Sequence, residues 1–258
     1  MSIMTSNMLL SELVSYLDEI LNSSEFKDYG PNGLQVEGKK EIKKIVTGVS
    51  SCVELFHAAV EKNADAVIVH HGIFWDGQPS ILTKSRKERI TPLIKNDISL
   101  IAYHLPLDAH PEFGNNAGLS AALDLKNLRP FAEFKGKSIG FIGEFEKNFS
   151  AEAVLKKIKE KINPQSTLYD FGPENIKTVA VCSGGAQNSF YEAIEKGADL
   201  FITGEQSEWV YHVAREEKVH YVSAGHHATE RFGVKLLGKH IQDKFNLDVE
   251  FIDIYNPV

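Results

Sequence analysis

Apolar residues in this chain form short, nearly continuous runs that alternate with segments of helical periodicity. The strand-like runs are KKIVTGV (43–49), DAVIVHH (65–71) and SLIAYHL (99–105), and the first is followed by the amphipathic segment VELFHAAVEK (53–62). Alternation of this kind predicts an α/β fold with mostly parallel sheets covered by helices. The first twenty residues carry apolar side chains at helical spacing and predict an amphipathic surface helix.

The chain also contains an internal repeat. Residues 58–75 (AAVEKNADAVIVHHGIFW) align without gaps on residues 192–209 (EAIEKGADLFITGEQSEW), and the same offset pairs IVTGVS (45–50) with VAVCSG (179–184). We interpret this as a duplication that gives two similar α/β lobes, residues 1–130 and 131–258. Residues 127–138, where Pro, Gly and Lys cluster, are expected to join them, and the C-terminal helix and strand can pack back on the first lobe. Chance similarity between two helix-then-strand segments is the alternative.

Composition narrows the class of protein. The 258 residues are 43% hydrophobic and 24% charged, which is typical of a globular protein with a sizeable core. The net charge of -7 disfavours a nucleic-acid partner, which requires a basic surface. The two cysteines lie outside any CxxC pair, no apolar run approaches the roughly 20 residues of a membrane span, and the N-terminus lacks a basic signal-peptide region. We therefore expect a cytoplasmic protein with reduced thiols and no membrane contact.

Six of the ten histidines fall in three short stretches, VIVHHGIFW, YHLPLDAHPEFGNN and GHHATE. Each stretch follows an apolar strand, and ligands gather at the carboxyl ends of strands in α/β sheets. Imidazole and carboxylate together suit a divalent transition metal. Three histidines and two carboxylates exceed the needs of one catalytic zinc ion and suit two ions side by side.

Each of these residues also has an ordinary structural explanation. A histidine at a strand end is commonly a hydrogen-bonding group. Asp108 can cap a helix or stabilise a turn. Glu230 can be a first-turn acid favoured by the helix dipole. Its spacing of four from His226 nevertheless places both on one helical face. The joint occurrence of these groups at strand ends favours the metal interpretation.

At this point the chain resembles the NIF-three-like family, also known as GTP cyclohydrolase 1 type 2 homologues, in its short bacterial type without an inserted middle domain. The resemblance rests on GPNGLQVEG (30–38), VHHGIFW, HLPLDAHPEFGNN, TGE (203–205) and GHHATER. It implies two divalent metal ions per chain, at a site that we expect between the lobes. Mixed imidazole and carboxylate ligands suit zinc, iron, manganese, cobalt or nickel, and the sequence does not distinguish among them. The resemblance also implies a ring-shaped homohexamer. The ligands it implies are His70, His71, Asp108, His226 and Glu230.

The leading functional hypothesis is a metal-dependent hydrolase acting on a small molecule, a nucleotide or related cyclic substrate. The family name implies opening of the imidazole ring of GTP. Glu205, His104 and His227 are the candidates for proton transfer. Glu205 aligns with His71 in the repeat, and the alternative is that it is an ordinary acidic residue at the end of a strand. The glycine-rich turn SGGAQNS (183–189) can present backbone N–H groups to a phosphate. The alternative is that it is only a tight turn between a strand and a helix. The alternative function is a non-enzymatic metal-binding scaffold or regulatory protein.

Overall fold

A computed structural model describes residues 7–79 and 81–258, which form an α/β fold with two mixed sheets covered by helices. In chain order the elements are β1 (Met8–Leu9), α1 (Leu10–Ile20), β2 (Gly33–Val36), β3 (Glu41–Ile42), β4 (Lys44–Ser50), α2 (Val53–Glu61), β5 (Ala66–His71), α3 (Lys84–Lys95), β6 (Ser99–Ala102), α4 (Leu105–Ala109), α5 (Asn115–Ala122), β7 (Lys126–Phe134), β8 (Lys137–Phe149), α6 (Ala151–Lys161), β9 (Thr167–Tyr169), β10 (Ile176–Val181), α7 (Phe190–Glu195), β11 (Leu200–Thr203), α8 (Glu208–Glu217), β12 (His220–Ser223), α9 (His226–Thr229), α10 (Arg231–Phe245) and β13 (Asp248–Phe251). Within these described residues, every helix is too short or too polar to cross a membrane.

The chain divides into two compact units whose bounds differ from those expected from the sequence. Unit 1 extends to Leu107 and resumes over Gly233–Tyr255, and unit 2 comprises Asp108–Phe232 with Asn256–Val258. The expected boundary at residues 130 and 131 therefore falls inside unit 2, because the chain leaves unit 1 within α4 and returns within α10.

The expected joining segment, residues 127–138, is part of the unit 2 sheet. It forms β7 and the tight turn into β8, with Lys135 and Gly136 at φ values of 47° and 86°. Because β7 lies at the edge of the sheet, the missing N–H of Pro130 is tolerated there. The Pro, Gly and Lys cluster thus marks an edge hairpin.

In unit 1, five strands form a sheet in the order β13-β4-β5-β6-β2. The first three pairings are parallel, and β2 runs antiparallel to β6. Apolar residues of β4, β5 and β6 pack against Leu55, Phe56 and Ala59 of α2 and Leu93 of α3. Burial of each Leu, Ile, Val or Phe side chain in this core contributes roughly 1.5–3 kcal/mol. The carboxyl end of β5 is thereby fixed at the sheet centre.

The sheet of unit 2 is more mixed than the sequence analysis expected. Its order is β7-β8-β10-β11-β12-β9, and only the pairings of β11 with β10 and β12 are parallel. The expectation of mostly parallel strands therefore holds for the centre of this sheet but fails at its sides, where the β7–β8 hairpin and β9 add antiparallel strands. Alternate residues of β10 belong to two different core clusters, one containing α6 and the other α7 and α8. Burial on both faces explains the continuous apolar runs.

The aligned segments of the repeat share local geometry. The carboxylate of Asp65 accepts hydrogen bonds from the N–H groups of Lys43 and Lys44 at 3.0 and 3.1 Å. At the same offset, Asp199 accepts hydrogen bonds from the equivalent pair of strand N–H groups, those of residues 177 and 178, at 2.9 and 2.8 Å. The pairing of Ile45 with Ala66 likewise matches that of residues 179 and 200. The two segments therefore form equivalent strand–helix–strand units.

Candidate metal centre

Two of the predicted ligands lie at the end of β5 in unit 1. His70 is completely buried, and its Nδ1 lies 3.0 Å from the carbonyl oxygen of Tyr103. Because a carbonyl only accepts, Nδ1 donates and the lone pair of the neutral ring lies on Nε2. The Nδ1 atom of His71 lies 2.9 Å from Oγ of Ser50. A metal-binding imidazole usually donates its other ring N–H to an acceptor such as a backbone carbonyl. The hydrogen bond from His70 to Tyr103 therefore fits a ligand role for His70.

The loop GPNGLQVEG braces the turn that follows these histidines. Oε1 of Gln35 accepts a hydrogen bond from the N–H of Ile73 at 2.8 Å, and its Nε2 donates to the carbonyl of Pro31 at 2.8 Å. Gly72 packs so closely against the Gln35 amide that a side chain there would overlap it. This motif therefore fixes the backbone immediately after His71.

The same loop positions the third histidine of unit 1. Nδ1 of His104 lies 2.6 Å from Oδ1 of Asp28, and the backbone N–H of His104 donates to Asn32 at 2.8 Å. Burial raises the pKa of Asp28, but the His104 ring, the Asn32 amide and the Tyr29 N–H more than offset this and hold that pKa below its usual range. Asp28 was not identified from the sequence, because it lies upstream of the motif in a segment without periodicity.

Unit 2 places two predicted carboxylates together. Asp108 is 5% exposed and Glu230 is 3% exposed, and a carboxylate oxygen of one lies within 4.8 Å of one of the other. At an effective dielectric constant of about 20, two such charges repel by at least about 3 kcal/mol. Oδ1 of Asp108 is held by Asn115 Nδ2 at 2.8 Å and by Ser183 Oγ at 2.9 Å, both neutral donors. A buried pair of this kind fits a bound cation.

His226 lies beside this pair at the start of α9. Its Nε2 is 3.2 Å from Oε1 of Glu230, and its Nδ1 is 2.6 Å from Oε1 of Glu205. Burial lowers the pKa of His226, but the carboxylates of Glu230 and Glu205 outweigh it and raise the pKa to about 9. A divalent cation bound by Nε2 and Glu230 would take the place of that proton. Glu205 therefore orients a predicted ligand.

The glycine-rich turn SGGAQNS packs against the same carboxylates. Gly184 has a φ of 65°, and a methyl group on it would overlap Oε1 of Glu230. The N–H groups of residues 183, 184 and 186 donate to Asn116, Thr229 and Thr203. Since these donors are used and the turn faces acids, the phosphate interpretation is disfavoured, and a turn that allows close backbone approach is favoured.

Two further histidines have different surroundings. His227 is 8% exposed, and its backbone N–H donates to the carbonyl of Val258 at 2.9 Å. Nδ1 of His110 accepts hydrogen bonds from the N–H groups of Glu112 and Phe113 at 3.2 and 3.0 Å, and its ring stacks on Phe113. His110 therefore stabilises its own loop, and a proton-transfer role for His227 stays a prediction.

Taken together, the fold and these side chains define an α/β protein with buried histidine and carboxylate groups suited to a transition metal. Within unit 1, His70, His71 and His104 offer ring nitrogens within 4.8 Å of one another. Within unit 2, Asp108, His226 and Glu230 supply the carboxylates and a further imidazole. The chain belongs to the Duf34/NIF3 (NGG1p interacting factor 3) family, whose model matches residues 8–257.

Individual relatives agree with this assignment. The chain is 45% identical over 247 residues to the "GTP cyclohydrolase 1 type 2 homolog" of Haemophilus influenzae, covering 95% of this chain and 98% of that protein. The structure of protein ybgI, described as of unknown function, has a TM-score of 0.93 at 43% identity, covering 97% of this chain and all of that one. TTHA1606 of Thermus thermophilus has a TM-score of 0.90 at 35% identity over 97% of this chain and all of that one. The chain is thus of the short type.

Proposed function

We propose that His70, His71, Asp108, His226 and Glu230 are the protein ligands of two divalent transition-metal ions and that the protein is a metal-dependent hydrolase. The observation that carries this proposal is the close approach of the buried Asp108 and Glu230 carboxylates, within 4.8 Å of each other. Two acids so placed require a neutralising cation or proton, and the neighbouring imidazoles favour a transition metal over Mg²⁺ or Ca²⁺.

The supporting groups strengthen this ligand assignment. Tyr103 supplies a carbonyl to His70, Glu205 a carboxylate to His226, and Ser183 a hydroxyl to Asp108. Each of these contacts engages one ring nitrogen or one carboxylate oxygen of a proposed ligand, as is usual around protein metal ions. The mixed nitrogen and oxygen donors suit zinc, iron, manganese, cobalt or nickel.

The proposed chemistry is hydrolysis of a nucleotide or related cyclic substrate. When bound, two divalent cations lower the pKa of a water and polarise the bond under attack. Glu205 holds the Nδ1 proton of His226, and its side chain is 36% exposed, so it can also exchange a proton with a bound substrate. Asp108 is buried and accepts hydrogen bonds from Asn115 and Ser183, and we assign it to metal binding rather than to proton transfer.

The test is a substrate screen with fully metallated protein, metal-free protein and the Glu205→Gln variant. GTP and other purine nucleotides are included because the Haemophilus influenzae relative carries the name "GTP cyclohydrolase 1 type 2 homolog". We expect metal-dependent loss of a cyclic substrate, and we expect that loss to fall strongly in the variant even when saturating metal has restored its metal content. Full metal loading without turnover of any substrate would favour the alternative function, a metal-binding scaffold or regulatory protein.

Two further features belong to this proposal. We propose that the two units arose by duplication, since Asp65 and Asp199 make the same hydrogen bonds at matching positions of the two aligned segments. We also propose a homo-oligomer, a ring of six chains as the resemblance implies. Light scattering of the purified protein tests the oligomer, and a monodisperse monomer would contradict it.

A further inference from the structure

A groove between two helices of unit 1 lies outside the proposed set of metal ligands. Helices α2 and α3 cover the same face of the unit 1 sheet, where Leu55 of α2 and Leu93 of α3 share one apolar core. The groove has a volume of about 500 Å³, within the roughly 300–1,000 Å³ of pockets that hold small molecules. Its lining residues are Val53 and His57 of α2 and Lys84, Lys87, Glu88, Thr91 and Pro92 of α3.

The spacing of the lining residues places polar side chains of both helices at this groove. On α3, Lys87 follows Lys84 by three residues, which is the spacing of neighbours on one helical face. On α2, His57 follows Val53 by four residues and shares a face with it in the same way. The residues Lys84, Lys87 and His57 are all exposed. Two ammonium groups and an imidazole therefore border one groove and are accessible from solvent.

The two ammonium groups of the groove have no acidic partner in the part of the chain that the structure describes. Neither Lys84 nor Lys87 has a carboxylate oxygen within 4.0 Å there, although Glu88 also lines the groove. Other lysines of this chain are paired, as Lys39 is with Asp65 at 2.7 Å. One carboxylate against two ammonium groups leaves the groove with an excess of positive charge.

Helix α3 as a whole concentrates positive charge. Its twelve residues, KSRKERITPLIK, include five basic side chains and one acidic side chain, whereas the complete chain has a net charge of -7. Like charges on one helical face repel each other, so an anion that binds between them is stabilised. Phosphate groups suit such a site, because an ammonium group binds their oxygens as a point charge.

The groove suits a small phosphorylated molecule rather than a polyanionic polymer. A nucleic acid requires a basic surface that extends along its backbone, but α2 carries the exposed acids Glu54 and Glu61. Val53 and Pro92 add apolar surface to the groove for an organic group. A phosphate ester with a small organic group therefore matches both kinds of lining residue.

We propose that the groove between α2 and α3 binds a phosphorylated small molecule, with Lys84 and Lys87 holding its phosphate and His57 contacting it from α2. The site does not depend on the proposed metal centre, since none of its residues is a proposed ligand. Helix α2 begins three residues after Ser50, whose Oγ lies 2.9 Å from Nδ1 of His71. The phosphate belongs either to the substrate of the metal centre or to a separate effector, and the test distinguishes the two.

The test measures binding of GTP, guanosine and inorganic triphosphate to the full chain by isothermal titration calorimetry, with and without bound metal. Lys84→Ala and Lys87→Ala are compared with Lys95→Ala, a matched control that removes the same charge from an exposed position of α3 outside the groove. We expect GTP and triphosphate to bind and guanosine not to bind. Lys84→Ala and Lys87→Ala should each weaken binding roughly tenfold, as expected for loss of a charged hydrogen bond, whereas Lys95→Ala should leave the affinity nearly unchanged.

The comparison with and without metal identifies the source of the phosphate. A phosphate of the substrate predicts that GTP binds more tightly to the metal-loaded protein and that Lys87→Ala weakens this binding. A separate effector predicts the same Lys87-dependent affinity in both forms. If the unaltered protein retains no metal but binds GTP through Lys87, the proposed function fails and this inference stands.

Three results would overturn the inference. The first is that neither GTP nor triphosphate binds, and the second is that guanosine binds as tightly as GTP. The third is that Lys84→Ala and Lys87→Ala bind GTP as tightly as Lys95→Ala does, with all three folded by circular dichroism. If Lys87→Glu then also alters the oligomeric state in light scattering, the groove is instead a contact between copies of the chain.

Discussion

The metal-free protein should lose stability at alkaline pH through one identifiable group, His226. Its pKa rises from 6.5 to about 9 because the carboxylates of Glu230 and Glu205 outweigh the effect of burial. Since the folded-state pKa is raised, the stabilisation is fully present below pH 6.5 and is lost as pH rises through 9. At 1.36 kcal/mol for each pKa unit, the free energy of unfolding should fall by about 3 kcal/mol across this range.

The assay is urea denaturation of chelator-treated protein at pH 6 and pH 9.5. The chain has two tryptophans, so Trp75→Phe leaves Trp209 of unit 2 as a local fluorescence probe. His226→Gln in the same background removes the titrating group and serves as the control for every other ionisation. The reasoning is refuted if the protein that retains His226 loses no more stability between these pH values than the control does.

The remaining predictions concern the carboxylates and the turn that packs against them. Asp108→Asn and Glu230→Gln should each leave the protein folded by circular dichroism but bind less metal in elemental analysis; normal metal content in both would reject the ligand assignment. Gly184→Ala should destabilise the protein by more than the roughly 1–2 kcal/mol cost of a left-handed residue, because its methyl group overlaps Glu230 in addition. Gly197→Ala is the control, with a φ of 73° and open space around it, and an equal loss of stability in both variants would show that the overlap has no consequence. Zn²⁺ affinity of the folded protein should rise with pH up to about 9, because the ion displaces the proton of His226; competition titrations that show no dependence on pH would contradict this.

The positions of the predicted ligands followed from simple rules. Apolar runs that end in HH, in HLPLD and in GHH mark the carboxyl ends of strands, and α/β sheets gather functional groups there. The spacing of His226 and Glu230 predicted one helical face, and the structure places their side chains 3.2 Å apart. These inferences depend on local patterns, which the sequence displays directly, and on a general property of α/β folds.

The groups that orient the ligands were not predictable in this way. Asp28, Asn32 and Gln35 act on histidines far along the chain, through contacts made only when β2 pairs with β6. Asn32 and Gln35 lie in a motif that carried the resemblance, but the motif does not say which backbone groups they bind. Polar residues in irregular loops have no periodicity, so their partners are set by tertiary structure alone.

The composition of a segment was likewise ambiguous at residues 127–138. Proline, glycine and lysine are typical of linkers, but they are also typical of edge strands and tight turns, where Pro costs no ladder hydrogen bond and Gly adopts a positive φ. The structure shows the second case, with Pro130 on the edge strand β7 and Gly136 at a φ of 86°. Only the pairing of β7 with β8 distinguishes the two.

The most direct test of the proposed metal centre is the number of ions that each chain retains. Protein loaded with Zn²⁺ or Co²⁺ and then freed of excess metal is analysed by inductively coupled plasma mass spectrometry against an accurate protein concentration. The proposed ligand set predicts close to two transition-metal ions per chain. Retention of no metal by correctly folded protein would contradict it.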